Sequence, residues 1–286
     1  MSKSKPQSIR ASVSRRGFFG SLAGSAAVSL LAPGVEAAAS GHIRLGIATY
    51  SLRKFSRPDA IRMIQQLGIQ YVNVKEFHLR YRSTPDELAA GREEFRKAGL
   101  AIVAGGAITL QKNDEADIRK YFEYAKACGM PVMVIAPSHD ALPTIEKMVK
   151  EYNIRVAIHN HGVDDKHFPT PQVSLQAVKG RDPRMGLCID FGYTVQSGVD
   201  PVAAVREAGK RLIAIHLWDT KSADPKGEIC PVGDGIVPVA SIFRQLMKIN
   251  YPGTVDLEYE IDPDSPLEGM RKSLAYMRGV IAGLNA

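Results

Sequence analysis

The chain has 286 residues, 45% hydrophobic and 23% charged, with a formal net charge of +7 and three cysteines. That composition excludes a disordered or disulfide-stapled protein and fits one large α/β domain or two small ones. The charge is no sign of nucleic acid: Lys3, Lys5, Arg10, Arg15 and Arg16 against Glu36 put four of the seven charges in residues 1–40, leaving +3 for the rest.

The first forty residues read as a leader. Ser14-Arg15-Arg16-Gly17-Phe18-Phe19 precedes a mildly apolar Gly/Ala/Ser/Leu stretch to Leu31, broken at Pro33 and followed by Ala37, Ala38 and Ala39. The pattern resembles a twin-arginine export signal with a small-residue cleavage site. Its apolar part is too short and too rich in Gly and Ser to span a bilayer stably. The expectation is a leader over residues 1–40, recognised by the twin-arginine translocase, and a periplasmic or extracellular domain over residues 41–286.

From residue 43 onward, β-rich apolar runs alternate with helical patterns. Strands are predicted at 43–49, 71–76, 101–107, 132–136, 155–160, 186–190, 212–217 and 254–259. They are nearly continuous in Val, Ile and Leu, as parallel strands buried on both faces require. Eight such strand–helix units predict a single (β/α)8 TIM barrel. Thr84-Pro85-Asp86-Glu87 supplies a capping box, Asp200-Pro201 repeats the start signal, and Gly68, Gly99, Gly129 and Gly209 stand where four helices should end. Segments 161–170 and 220–238 are longer than a barrel needs and belong on the rim where strands end. Gly233-Asp234-Gly235 follows no strand, so a dinucleotide fingerprint is not supported.

Polar side chains close four consecutive strands: His159 and His161, Asp190, His216 and Glu258. In a parallel barrel those ends share one rim, and side-chain alternation points His159 and His161 the same way, with Asn160 opposite. Imidazole nitrogens and hard carboxylate oxygens together suit one divalent ion, Mn²⁺, Mg²⁺, Co²⁺ or Zn²⁺. A single strand-end histidine is ordinarily a hydrogen-bonded structural residue; four polar strand ends in succession point to a site. Lys75, Glu76 and His78 cluster at the end of the second strand, and alternation allows only Lys75 or the other two to face the pocket. Trp218 fits a sugar-stacking wall or a packing role, and Lys221 fits a substrate contact or a solvated loop charge. Gly105-Gly106 permits close backbone approach or relieves crowding. Cys128 and Cys188 read as core residues, and His139 and His167 as isolated surface residues.

The stretches AIHNHG (157–162), GLCIDFG (186–192), IHLWD (215–219), VGDG (232–235) and NYPGTVDLEYE (250–260) resemble the xylose-isomerase-like barrel family of sugar isomerases and epimerases. The resemblance implies a Glu, an Asp, a His and a second Glu from the last four strands around one divalent metal, with the glutamates moving protons. Asp190, His216 and Glu258 match three of these. The first Glu is replaced by the His159-Asn160-His161 stretch, Tyr193 stands where a His is frequent, and Asn73 where Glu is frequent. The expected ligands are therefore His161, Asp190, His216 and Glu258, with Glu258 or His159 moving the proton and Lys75, Tyr193, Trp218 and Lys221 contacting substrate. The implied function is a metal-dependent sugar isomerase or epimerase acting α to the carbonyl of a ketose or keto-sugar. A 3-keto-glycoside lyase or hydratase and a catalytically reduced sugar-binding protein are the alternatives, and a homodimer or homotetramer is the assembly the resemblance implies. A zinc nuclease on the same barrel is disfavoured by the modest charge and too few ligands.

Overall fold

All eight expected strands form in the computed structural model, which describes residues 43–286. They are β1 Arg44–Ala48, β2 Tyr71–Val74, β3 Ala101–Leu110, β4 Val132–Pro137, β5 Arg155–His159, β6 Met185–Asp190, β7 Leu212–Leu217 and β8 Thr254–Leu257. Every pairing is parallel, and β1 pairs with both β2 and β8, closing the barrel. The leader expected at residues 1–40 lies outside the described residues.

Helices α1 Arg57–Gln66, α2 Pro85–Lys97, α3 Glu115–Cys128, α4 Leu142–Tyr152 and α5 Pro171–Val178 follow the first five strands. α6 Phe191–Gln196 and α7 Pro201–Ala208 both follow β6, α8 Val239–Lys248 precedes β8, and α9 Leu267–Leu284 ends the chain. The capping box at Thr84 and Glu87 is present, and Asp200 caps α7 by accepting from the Val202 amide. Gly68, Gly99, Gly129 and Gly209 all take positive φ just after α1, α2, α3 and α7. None of the described helices is long and apolar enough to cross a membrane.

Two packed layers hold the barrel. Outside the strands, Ile64, Phe95, Phe122, Phe243, Leu246 and Leu274 are buried between sheet and helices, each worth about 1.5–3 kcal/mol relative to exposure. Inside, the side chains are mostly small: Ala104, Val134, Ala157, Cys188 and Ala214. Small interior residues leave room for longer polar side chains in the layer above. Gly106 has φ 120°, and a Cβ there would sit 2.1 Å from the Val134 carbonyl oxygen, so close approach of β3 to β4 requires the glycine.

The long segment after β7 is ordered by one side chain. Asp219 is fully buried; one of its oxygens accepts from the Thr220 and Val237 amides and the other from Gly233 and Gly235, at 2.8–3.2 Å. That explains why Trp-Asp and Val-Gly-Asp-Gly occur together: the carboxylate folds the distant glycine turn onto the strand end. His139 and His167 are not isolated from each other, since His139 Nε2 lies 3.0 Å from the His167 carbonyl oxygen.

Candidate active site

His159 ends β5, Asp190 ends β6, His216 is the penultimate residue of β7, and Glu258 follows the last residue of β8. Asp190 is paired in register with His216, and His216 with Asp256. Glu258 therefore stands one interior step above Asp256, beside the other three. Four atoms converge at the barrel mouth: His159 Nε2, Asp190 Oδ2, His216 Nδ1 and Glu258 Oε2. His216 Nδ1 lies 2.7 Å from the glutamate and 3.0 Å from His159 Nε2, which is 3.5 Å from the aspartate. All four side chains are buried, and each has a ligand-type atom within 4.8 Å of those of the others.

Neighbouring groups fix each member. Asp190 caps α6, its Oδ1 accepting from the Tyr193 amide at 2.9 Å, while Oδ2 accepts from the Trp218 indole at 3.0 Å. The indole reaches it because residue 192 is glycine: a Cβ there would lie 2.1 Å from the Trp218 ring. Asn160 points away from the cluster, as alternation predicts, and its carbonyl accepts from the Asp190 amide at 3.0 Å. Lys75 Nζ sits 2.8 Å from Glu258 Oε1. On the far side of His216, Asn73 Nδ2 lies 2.8 Å from Nε2, and Asn73 Oδ1 has no partner.

A cavity of about 410 Å³ opens above the cluster, lined by Tyr50, Lys75, Thr109, His161, Tyr193 and Glu260 as well as His159 and Glu258. Of the side chains singled out in the sequence, Lys75, Glu76, His159, His161, Tyr193 and Glu258 line this cavity, and Asp190 and His216 join His159 and Glu258 in the donor cluster. His161 lies outside the four-residue cluster; its Nδ1 is 3.3 Å from Asp165 Oδ2, and its ring is one-third exposed. Trp218 stands behind Asp190 and not on the cavity wall. Lys221 donates to the Asp234 carbonyl at 2.7 Å, out on the loop after β7. At the second strand, Lys75 and the exposed Glu76 both line the cavity, contrary to the expectation from alternation, because β2 ends at Val74 and residues 75 and 76 lie beyond it; His78 is buried.

Glu260, Asp165 and Tyr50 were not singled out in the sequence. For Glu260 the signal was present, since it lies two residues beyond Glu258 and shares its side of the chain. Asp165 and Tyr50 come from segments without strand periodicity.

The electrostatics separate the groups. Burial pushes Glu258 upward, but His216 and Lys75 outweigh it and hold the carboxyl well below its usual range. Burial, reinforced by His216, keeps His159 well below 6.5, and burial lowers His161 to about 4, so both imidazoles are neutral at pH 7. Burial lifts Asp190 to about 7, and burial with Glu258 nearby lifts Glu260 to about 7.

The donor set fits a divalent cation. Two imidazole nitrogens face each other at 3.0 Å with two carboxylate oxygens beside them; a shared cation satisfies these lone pairs better than a single proton does. Cys188 offers a third donor to His159 and His216. Burial holds its thiol well above 9, however, leaving it a neutral core group beneath the carboxylates.

Comparison with known proteins agrees with this architecture. A family model described as the xylose isomerase-like TIM barrel matches residues 61–280. The chain is 28% identical over 158 residues to an inosose dehydratase of Clostridium tetani, covering 48% of this chain and 51% of that enzyme. It thus spans about half the length of that curated relative. A D-psicose 3-epimerase solved in the presence of D-fructose superposes with a TM-score of 0.65 at 17% identity, covering 84% of this chain and 99% of that one. An IolI protein with a bound zinc atom superposes with a TM-score of 0.71 at 16% identity, with the same coverage.

Proposed function

This chain belongs to the xylose isomerase-like TIM barrel family, and on that premise we propose that it is a divalent-metal-dependent carbohydrate enzyme that removes the proton α to the ketone of a keto-sugar or keto-cyclitol. The observation that carries this reading is the convergence of four donor atoms beneath a cavity that keeps a further histidine, His161, on its wall.

In this reading His159, Asp190, His216 and Glu258 would hold the cation, and His161 moves the proton. When bound, the cation polarises the ketone oxygen and stabilises the negative charge that develops there. His161 suits the base role by geometry: Asp165 faces its Nδ1, which favours the proton on that nitrogen and leaves Nε2 as acceptor. As His161 takes the proton, the C–H electron pair becomes the C=C bond of an enolate and the carbonyl π pair moves onto the ketone oxygen. Lys75 neutralises the buried Glu258, and Tyr193 offers a hydroxyl toward substrate.

Elimination is the outcome we favour. Glu260 lines the cavity without an ion pair among the described residues, so it is placed to give a proton to a departing β-hydroxyl, which leaves as water while the ketone re-forms beside a new double bond. The likeness to an inosose dehydratase supports it. Isomerisation or epimerisation shares the first step and differs in returning the proton to carbon; the psicose epimerase likeness supports the barrel alone. The leader read at residues 1–40 would put the reaction outside the cytoplasm, a point that cell fractionation with and without Arg15 and Arg16 tests.

The experiment has two parts. Elemental mass spectrometry of the untagged protein should find one divalent ion per chain, lost in His216→Ala. Proton NMR in D₂O with an inosose and a 3-keto-glucoside should show α-proton exchange, slowed about 10²–10⁴-fold in His161→Gln with the metal retained. Absence of any bound metal, or exchange at the wild-type rate in His161→Gln, overturns the assignment.

A further inference from the structure

Next to the reaction cavity lies a larger one, of about 730 Å³, between the segment Arg53–Pro58, which runs from the loop after β1 into the start of α1, and the loop after β2 (Glu76–Ser83). The two cavities share Glu76 and Phe77 in their walls. Resting on the function proposed above, we infer that the substrate is a two-ring glycoside, its reacting keto-sugar over the polar cluster and its second, uncharged ring in the neighbouring cavity against Phe77.

Size is the first argument. A single sugar ring over the polar cluster lies within the cavity of about 410 Å³, itself in the roughly 300–1,000 Å³ range of small-molecule sites, and leaves the adjoining cavity of about 730 Å³ unused. Phe77 is the second. It is 43% exposed, among the few large hydrophobic side chains left in water over the described residues, and it stands where the two cavities meet. Tyr50, which lines the reaction cavity, holds it edge-on with ring centroids 5.9 Å apart. A fixed aromatic face between two polar cavities suits the C–H face of a sugar ring.

Charge decides what kind of ring. Four cations line the second cavity, a pattern that first suggests phosphate or carboxylate. Two are already paired with carboxylates, and a third is held by backbone carbonyls. Arg57 makes a two-pronged pair with Glu94 at 2.7 and 2.8 Å, Lys54 pairs with Asp264 at 2.6 Å, and Arg53 donates to the carbonyls of Tyr50 and Glu260. Arg80 and Glu76 both line this cavity, and neither has an ion pair among the described residues. One free donor group and one free acceptor group match a ring of hydroxyls better than an anion.

The test uses the Mn²⁺-loaded full-length protein and titration calorimetry with glucose, cellobiose, maltose and glucose 6-phosphate. At least one disaccharide should bind about tenfold tighter than glucose. Phe77→Ala should weaken that disaccharide. Ser83→Trp, which fills only the second cavity, should remove its advantage while leaving glucose within about twofold; circular dichroism confirms that both variants fold. Equal affinity for glucose and both disaccharides, no binding of any sugar, or a Ser83→Trp protein that keeps the advantage overturns the inference. Tighter binding of glucose 6-phosphate than of either disaccharide also overturns it, in favour of an anion site. Metal content is measured on the same samples, so failure of the metalloenzyme reading is seen separately from failure of the two-ring reading.

Discussion

Lys75 Nζ and Glu258 Oε1 lie 2.8 Å apart with both side chains buried at the floor of the reaction cavity. The pair joins the second strand to the last across the barrel mouth and leaves the other glutamate oxygen facing the donor cluster. Removing one partner of a buried pair strands the other charge, at about 3–5 kcal/mol. Lys75→Met should therefore lower the melting temperature sharply in chelator, and less so with a divalent ion that supplies positive charge to Glu258. Thermal melts of both proteins with EDTA and with Mn²⁺ read this. Equal stability of the two in EDTA would show that the pair contributes nothing.

Asn73 sets the orientation of His216. An imidazole that offers Nδ1 to a cation carries its proton on Nε2, and the group facing Nε2 is the Asn73 amide. Its oxygen is otherwise without a partner, so an amide turned to accept the Nε2 proton satisfies both residues. Asn73→Leu should weaken metal binding about 10–100-fold, whereas Asn73→Asp, which keeps an acceptor, should bind at least as tightly as wild type. Chelator competition measures both, and an unchanged affinity in Asn73→Leu removes Asn73 from the positioning role.

What the sequence revealed, and what it did not, follows strand periodicity. The eight strands were legible because parallel strands buried on both faces leave continuous apolar runs, and the polar residues that end them were legible as breaks in those runs. Alternation placed His159 and His161 on one side, and of the two the donor cluster contains His159, not the His161 expected as a ligand. The strand ends at His159, and beyond it the loop carries His161 toward Asp165, outside the donor cluster. Trp218 likewise follows the end of β7, and its indole turns to Asp190 over Gly192. The Asp219 contacts with residues 233–237 join chain segments that no local pattern connects.

Asp219 is the strongest single determinant of the loop after β7. Each of its oxygens accepts two backbone N–H groups. An amide in its place turns one acceptor into a donor that faces two N–H groups, leaving them unpaired at about 1–3 kcal/mol each. Asp219→Asn should lose about 2–4 kcal/mol in urea denaturation with an unchanged slope and become sensitive to protease between residues 221 and 236. Retention of the wild-type midpoint would mean that the glycine turn holds itself.

His78 predicts the protein's response to mild acid. Burial lowers it to about 4, only partly offset by the nearby carbonyls of Leu52 and Phe55, while in the unfolded chain it titrates near 6.5. Between those values the unfolded state binds a proton that the folded state does not, so stability is fully present above about pH 6.5 and falls as pH drops toward 4. A shift of this size corresponds to about 3 kcal/mol. Other groups titrate in the same window, so the contribution of His78 is a difference between two proteins. His78→Gln should therefore be less stable than wild type at pH 8, where the packed neutral ring is lost, and close that gap as pH falls to 4. Urea midpoints of both proteins from pH 4 to 8 measure the convergence. Parallel curves across that range would show that His78 is protonated in the folded protein at no cost, and the acid sensitivity would then belong to the carboxylates and imidazoles at the barrel mouth.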